Sequence, residues 1–366
     1  MGLLTFDLDD TLYPIDVVIK EANVAFAKAM ERFGFAGIEP EAIDNLCKEI
    51  RRESDQESEY LTHTQVREVA IRREMEKVVY ERKLKETADD WATQVTDLAD
   101  LVTRNAKKWA HAAVNDSTVS AVLTAWEMER HHAAERNLFP EVVDVLKEIR
   151  QKHPHVIIGA VTDGKANPML MTFTLEPYFD FSMSWEDDQA ERQQFFQELG
   201  SVEGRAQLTW IYTAALEKYN QLASAKAAMT NQPMEEEEEK GPTAVLKDED
   251  KVWVHVGDDL FYDVGGSASC GAKTVLVDLA EKYGQTAPDR FDLDAASQPA
   301  WSTSTVKELE IRRVRNEESK SQFDQTVAFL TLLPEAIERI LQDEEEEQAN
   351  FAVQDEPNNS SVSKSP

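Results

Sequence analysis

The sequence predicts an α/β protein built on a parallel sheet, with an all-helical unit inserted near its start. Three observations predict it. Short apolar runs that stop at acidic or Asp-Gly segments alternate with amphipathic stretches, the pattern of strands buried on both faces by helices. Residues 15–136 carry almost no strand signal and repeat at three and four instead. The length, 366 residues, suits two lobes better than one core.

Leu3–Phe6 is the first apolar run and ends at Asp7. Val18, Ala22, Ala25, Phe26, Ala29, Met30 and Phe33 then mark one face of a helix that starts at Ile15 and stops at Gly34. A second helix is predicted over Pro40–Arg52 and a polar loop over Asp55–Glu59. Thr62 with Gln65 forms a capping box for a helix from His63 to about Lys85. Two more helices are predicted near Asp89–Val114 and Ser117–Glu135.

After Pro140 come a helix over Glu141–Gln151 and strands at Val156–Val161, Phe179–Ser184, Val252–Val256 and Lys273–Val277, with a helix around Trp210–Tyr219. Ser224–Lys251, with five consecutive glutamates, and the acidic tail from Asp343 read as disordered, solvated segments. The expected division is a sheet domain of residues 1–15 and 137–342, a helical unit of 16–136 and a tail of 343–366.

The chain has 39 basic and 70 acidic residues, a formal charge of −31. Residues 233–250 and 343–366 hold much of the excess, and the remainder is still acidic, which argues against a nucleic-acid or anionic-lipid partner. The acidic loop and tail read as solvated tethers, with a basic protein partner as the alternative. Two cysteines, Cys47 and Cys270, make no disulfide framework and suit a reducing compartment. No apolar run is long enough to span a bilayer, and no signal peptide opens the chain. The expected location is the cytoplasm, or an organelle if a targeting segment precedes Met1.

The chemistry is concentrated where strands stop. Phe6-Asp7-Leu8-Asp9-Asp10-Thr11-Leu12-Tyr13-Pro14 places three carboxylates within four positions, where mutual repulsion calls for a cation, and hard oxygen ligands suit Mg²⁺. An extended backbone would point Asp7 and Asp9 to the same side. The alternative is an acidic turn capping the next helix. Val161-Thr162-Asp163-Gly164 offers a hydroxyl and free N–H groups to an anionic oxygen. Gly257-Asp258-Asp259, with Asp263 following, is a third strand end bearing carboxylates. In open parallel sheets ligands bind outside these strand ends.

Together the three segments resemble the motifs of the haloacid dehalogenase superfamily, aspartate-nucleophile hydrolases with a Rossmann-like core. Asp7-x-Asp9-x-Thr11 is similar to the first motif, Thr162 to the second, and Gly257-Asp258 with Asp263 to the fourth. The helical insertion is similar to that family's cap domain. The resemblance implies a phosphatase in which Asp7 is the nucleophile, Asp9 the acid and then the base, and Thr162 a stabiliser of the transferring phosphoryl group. It implies phosphate contacts from Thr11, Asp163 and Gly164, and Mg²⁺ held by Asp7, Asp9 (through its backbone carbonyl), Asp258 and Asp263.

The family's third motif, a Lys or Arg, has no clear counterpart. Arg205 stands nearest the expected position, with Lys218 and Arg192 as substitutes. Asp163 stands where the family usually has Asn. Arg130, His131 and His132 read as solvated helix surface, His255 as a satisfied core residue and Cys270 as packing.

The leading expectation is a Mg²⁺-dependent phosphomonoesterase for a small phosphorylated metabolite. Leu12-Tyr13-Pro14 resembles pyrimidine nucleotide 5′-phosphatases, and the doubtful third motif leaves a non-catalytic binding protein as the alternative from another class. A dehalogenase would leave Asp9 and Asp258 unexplained, because a departing halide needs neither acid nor metal.

Overall fold

The computed structural model describes residues 1–57, 61–91, 99–184, 186, 205–229, 252–283, 298–299, 301–304 and 306–354. Six strands form one all-parallel sheet: β1 (Leu3–Phe6), β2 (Ile157–Thr162), β3 (Phe181–Ser184), β4 (Trp253–Gly257), β5 (Lys273–Val277) and β6 (Gln325–Val327). Their order is β3-β2-β1-β4-β5-β6. The chain therefore moves outward from β1 to β3 and returns to place β4 on β1's other side. Leu3 registers with Ile157 on one side and Trp253 on the other. That reversal puts the ends of β1, β2 and β4 at a crevice suited to ligands.

The sheet is covered on both faces because successive side chains point to opposite sides. Leu4 and Phe6 pack with Leu146 and Ile149 of α6 (Val142–Lys152) and with Ile337 and Ile340 farther along the chain. Leu3 instead packs with Trp253, Ile157 and the Trp210–Tyr219 stripe. That stripe belongs to one long helix, Arg205–Met229.

Between β1 and α6 lie α1 (Ile15–Arg32), α2 (Pro40–Glu57), α3 (His63–Trp91), α4 (Ala99–Ala113) and α5 (Asp116–Arg136). They share a separate apolar cluster that includes Phe26, Met30, Ile43, Ile71, Met75 and Trp126. Inside it Trp126 Nε1 donates to Asn23 (3.0 Å), whose amide donates to Asp44 (2.8 Å), so the buried polar atoms are satisfied. The capping box forms reciprocally: Thr62 N–H donates to Gln65 Oε1 (2.9 Å) and Gln65 N–H to Thr62 Oγ1 (3.2 Å). The outgoing and returning chains meet where Phe139 N–H donates to Leu12 O (2.9 Å).

Several expectations need correction. α2 runs through Glu57, so the polar stretch from Asp55 is helical at its start. The helix expected from Asp89 is α4, beginning at Ala99. After α7 (Arg205–Met229) and α8 (Ala280–Tyr283) come α9 (Val306–Ser319), β6 and α10 (Leu333–Gln354), and α9, β6 and α10 were not foreseen. The acidic tail expected to be irregular from Asp343 stays helical to Gln354, because the apolar stripe of Leu333, Ile337 and Ile340 anchors its first turns to the core. Residues 224–229 likewise continue α7, and 230–251 lie outside the described residues.

Candidate active site

β1 delivers Asp7 to the crevice, where its N–H donates to Val256 O of β4 (2.9 Å). The following loop closes on itself through Leu12 N–H to Leu8 O (2.9 Å) and Asp10 N–H to Tyr13 O (2.8 Å). Asp10 adopts a left-handed φ of 59°, and its carboxylate accepts the Ile15 N–H at the start of α1 (3.0 Å). The acidic-turn reading thus applies to Asp10, leaving Asp7 and Asp9 to the crevice.

Asp7, Asp258 and Asp263 are buried, with one carboxylate oxygen of each lying within 4.8 Å of the others. Thr11 sits beneath them, its hydroxyl 3.4 Å from Asp7 and 3.2 Å from Asp258. It is fully buried and supports carboxylates, a different task from the phosphate contact expected of it.

Asp263 is held from three directions. It accepts Asp259 N–H (2.9 Å) and the Tyr212 hydroxyl (3.3 Å), and it lies 3.3 Å from His255 Nε2. His255 Nδ1 in turn meets Thr5 Oγ1 (2.8 Å), so it is a satisfied core residue. Gly257 makes room for this arrangement: a Cβ there would stand 2.2 Å from Asp263 Cγ. Asp259 has a structural task, capping Phe261 and Tyr262 and accepting Arg312 of α9 (2.6 Å).

Burial pushes the Asp7 carboxyl well up, and the charges of Asp263, Asp258, Asp9 and Asp163 push the same way. Like charges packed out of water are the environment a hard divalent cation relieves, and the donor set is all oxygen. These residues fit Mg²⁺.

On the other side of Asp7, Thr162 is buried at the end of β2, and its hydroxyl accepts the Gly164 N–H (3.3 Å). Asp163 is exposed in this turn, and its charge acts on Asp7. Asp9 faces the turn and is met there by Arg130 of α5. The Arg130 Nη2 lies 2.9 and 2.6 Å from the two Asp9 oxygens. A Cβ on Gly164 would stand 3.0 Å from Asp9 Oδ2 and 3.2 Å from Arg130 Nη2, so glycine keeps the approach open.

Arg130 and His131 are buried, correcting their reading as solvated surface; His132 is exposed as expected. The signal was present: Val119, Val122, Trp126, Arg130 and Ala133 follow one helical stripe, so Arg130 is a charge on an apolar face. Arg205 opens α7, but its side chain and all of Arg192 lie outside the described residues, and Lys218 is exposed on α7. Cys270 is half-buried, its thiol pushed up by burial, as packing would have it. A cavity of about 340 Å³ opens between α5 and the Thr162–Asn167 loop, with Glu127, His131, Lys165 and Ser184 among its walls. Among the described residues no helix is long and apolar enough to cross a membrane.

No known family profile matches the chain, and no curated protein does. It is similar to solved structures. A 2-haloacid dehalogenase from Pseudomonas syringae pv. tomato aligns over 93% of this chain and 99% of its own, at 16% identity and a TM-score of 0.46. An L-2-haloacid dehalogenase from Xanthobacter autotrophicus aligns over 92% and 98%, at 13% identity and 0.38. A HAD phosphatase from Thermococcus onnurineus aligns over 92% and 98%, at 14% identity and 0.36.

Proposed function

We propose that this chain is a Mg²⁺-dependent phosphomonoesterase acting on a small phosphorylated metabolite. The observation that carries the reading is the buried trio of Asp7, Asp258 and Asp263 at the ends of the central strands. A dehalogenase would use Asp7 as its nucleophile but needs no cation, which leaves the carboxylate of Asp258 beside it unexplained. Asp7, Asp258 and Asp263, with the backbone carbonyl of Asp9, would hold Mg²⁺, which neutralises phosphoryl oxygens when bound.

Asp7 then attacks phosphorus in line, forming an aspartyl-phosphate as the P–O bond to the leaving alcohol breaks. Asp9 gives its proton to that oxygen and later takes one from the water that hydrolyses the intermediate. The Thr162 hydroxyl and the Asp163 N–H stabilise the transferring group. The helical unit, packed on its own apolar cluster, serves as the cap that excludes water.

The test is phosphate release from nucleotides, sugar phosphates and phosphoglycolate, with Mg²⁺ or EDTA, by wild type and Asp7→Asn. The reading expects release that stops with EDTA and in the variant. Release that survives either change overturns it.

A further inference from the structure

A line of polar groups crosses the sheet face that packs on α7. Thr5 of β1, with Trp253 and His255 of β4, is at most 1% exposed, and Tyr212 of α7 covers them at 2%. Leu3 registers with Trp253 and Thr5 with His255, so the three sheet residues share one face of adjacent strands. Polar groups buried in this layer are costly unless each donor finds an acceptor.

Each does, and the donors all run one way. Trp253 Nε1–H, which can only donate, gives its hydrogen to Thr5 Oγ1 (2.9 Å). Thr5 Oγ1 lies 2.8 Å from His255 Nδ1, and among the described residues its own hydrogen has no other acceptor. With Nδ1 receiving that hydrogen, the neutral ring carries its hydrogen on Nε2. Nε2 faces Asp263 Oδ1 at 3.3 Å, with the Tyr212 oxygen farther off at 3.5 Å. The Tyr212 hydroxyl divides a single hydrogen between Asp263 Oδ1 (3.3 Å) and the nearer Tyr262 O (3.0 Å). His255 is therefore the side chain whose donor is committed to Oδ1, while Oδ2 accepts the Asp259 N–H (2.9 Å).

Three aligned donors thus end on one carboxylate of the acidic trio, and each bond polarises the next. The last donor is neutral, which leaves the charge of Asp263 for a cation. We infer that His255, held as its Nε2–H tautomer by Trp253 through Thr5, is a positioning residue that orients Asp263 toward the divalent cation. The inference rests on the cation site of the phosphatase reading and adds the residues that stand behind one of its ligands.

The experiment titrates the full chain with Mg²⁺ by calorimetry and records the nitrogen NMR spectrum of its histidine rings with Mg²⁺ present. The chain has seven histidines, and the signal missing from His255→Gln is that of His255. That signal should show the hydrogen on Nε2 and none on Nδ1. His255→Phe should weaken Mg²⁺ binding about tenfold or more. His255→Gln, whose amide N–H can replace Nε2–H, should stay within about threefold of wild type. Thr5→Val strips Nδ1 of its donor and should weaken binding about threefold, so it carries the test if His255→Phe does not fold. A ring hydrogen on Nδ1, or Mg²⁺ affinity indifferent to both His255→Phe and Thr5→Val, overturns the inference. Wild-type phosphate release is followed alongside: Mg²⁺-dependent release with either of those results sinks the inference alone, whereas neither Mg²⁺ binding nor release sinks the phosphatase reading as well.

Discussion

Arg312 of α9 donates to Asp259 at 2.6 Å, and its guanidinium lies 4.4 Å from the Tyr262 ring centre. A helix that follows β5 in the chain thereby fixes the loop after β4, which carries Asp258 and Asp263. Both partners are nearly shut off from water, so removing one leaves a buried charge alone. Arg312→Met should destabilise the fold by about 3 kcal/mol in urea titration. The double variant Asp259→Asn, Arg312→Met should recover part of that loss.

His131 gives the protein an acid-sensitive joint between α5 and the sheet. The Asn167 N–H donates to Nε2 (3.2 Å), so Nδ1 carries the proton and donates to Glu127 O (2.6 Å). Burial, aided by neighbouring Arg130, pushes its pKa from 6.5 down to about 4. The unfolded chain therefore takes up a proton before the folded one does. The stability is intact above pH 6.5 and is lost as pH falls from there toward 4. Unfolding free energies from urea titration at pH 7 and pH 5 should differ by about 1–2 kcal/mol more for wild type than for His131→Gln.

Asp7→Asn should separate stability from function. Without a divalent cation, removing one charge from the Asp7, Asp258 and Asp263 trio relieves repulsion, so the variant should melt a few degrees above wild type in EDTA. Mg²⁺ should raise the wild-type midpoint and move the variant's less. Differential scanning fluorimetry across a Mg²⁺ series reads both. A wild type indifferent to Mg²⁺ would count against the trio as a cation site.

Gly257→Ala tests how tightly the crevice is built. The added methyl would overlap the Asp263 carboxylate, pushing it from Asp259 N–H and Tyr212. A loss of about 1–3 kcal/mol in stability is expected, with weaker Mg²⁺ binding measured by calorimetry.

The predictability of the chain follows from how locally each feature is encoded. β5 was legible at its stated ends, and β2 and β4 within a residue, because strands covered on both faces are largely apolar runs. Asp7, Asp258 and Asp263 were legible as a set because each closes such a run or follows closely upon it. β6 escaped notice because Gln325–Val327 is short and half polar, and becomes a strand through pairing with β5. Arg130 and Arg312 were missed for a related reason: whether a charged helix residue faces water or a carboxylate distant in sequence depends on packing. The pairings Arg130–Asp9 and Arg312–Asp259 exist only once separate elements have docked.

The placement of β1 also has a consequence for biosynthesis. Leu3–Phe6 leaves the ribosome before every other strand of the sheet, yet its two neighbours, β2 and β4, emerge only after the five described helices of the inserted unit, and β4 much later still. The helices can assemble from local contacts as they are made, whereas the opening strand must wait unpaired. Completing the environment of Asp7 is thus a late event in synthesis, since Asp258 and Asp263 follow β4, and a chain halted before Trp253 would hold the helical unit without the three-carboxylate cluster.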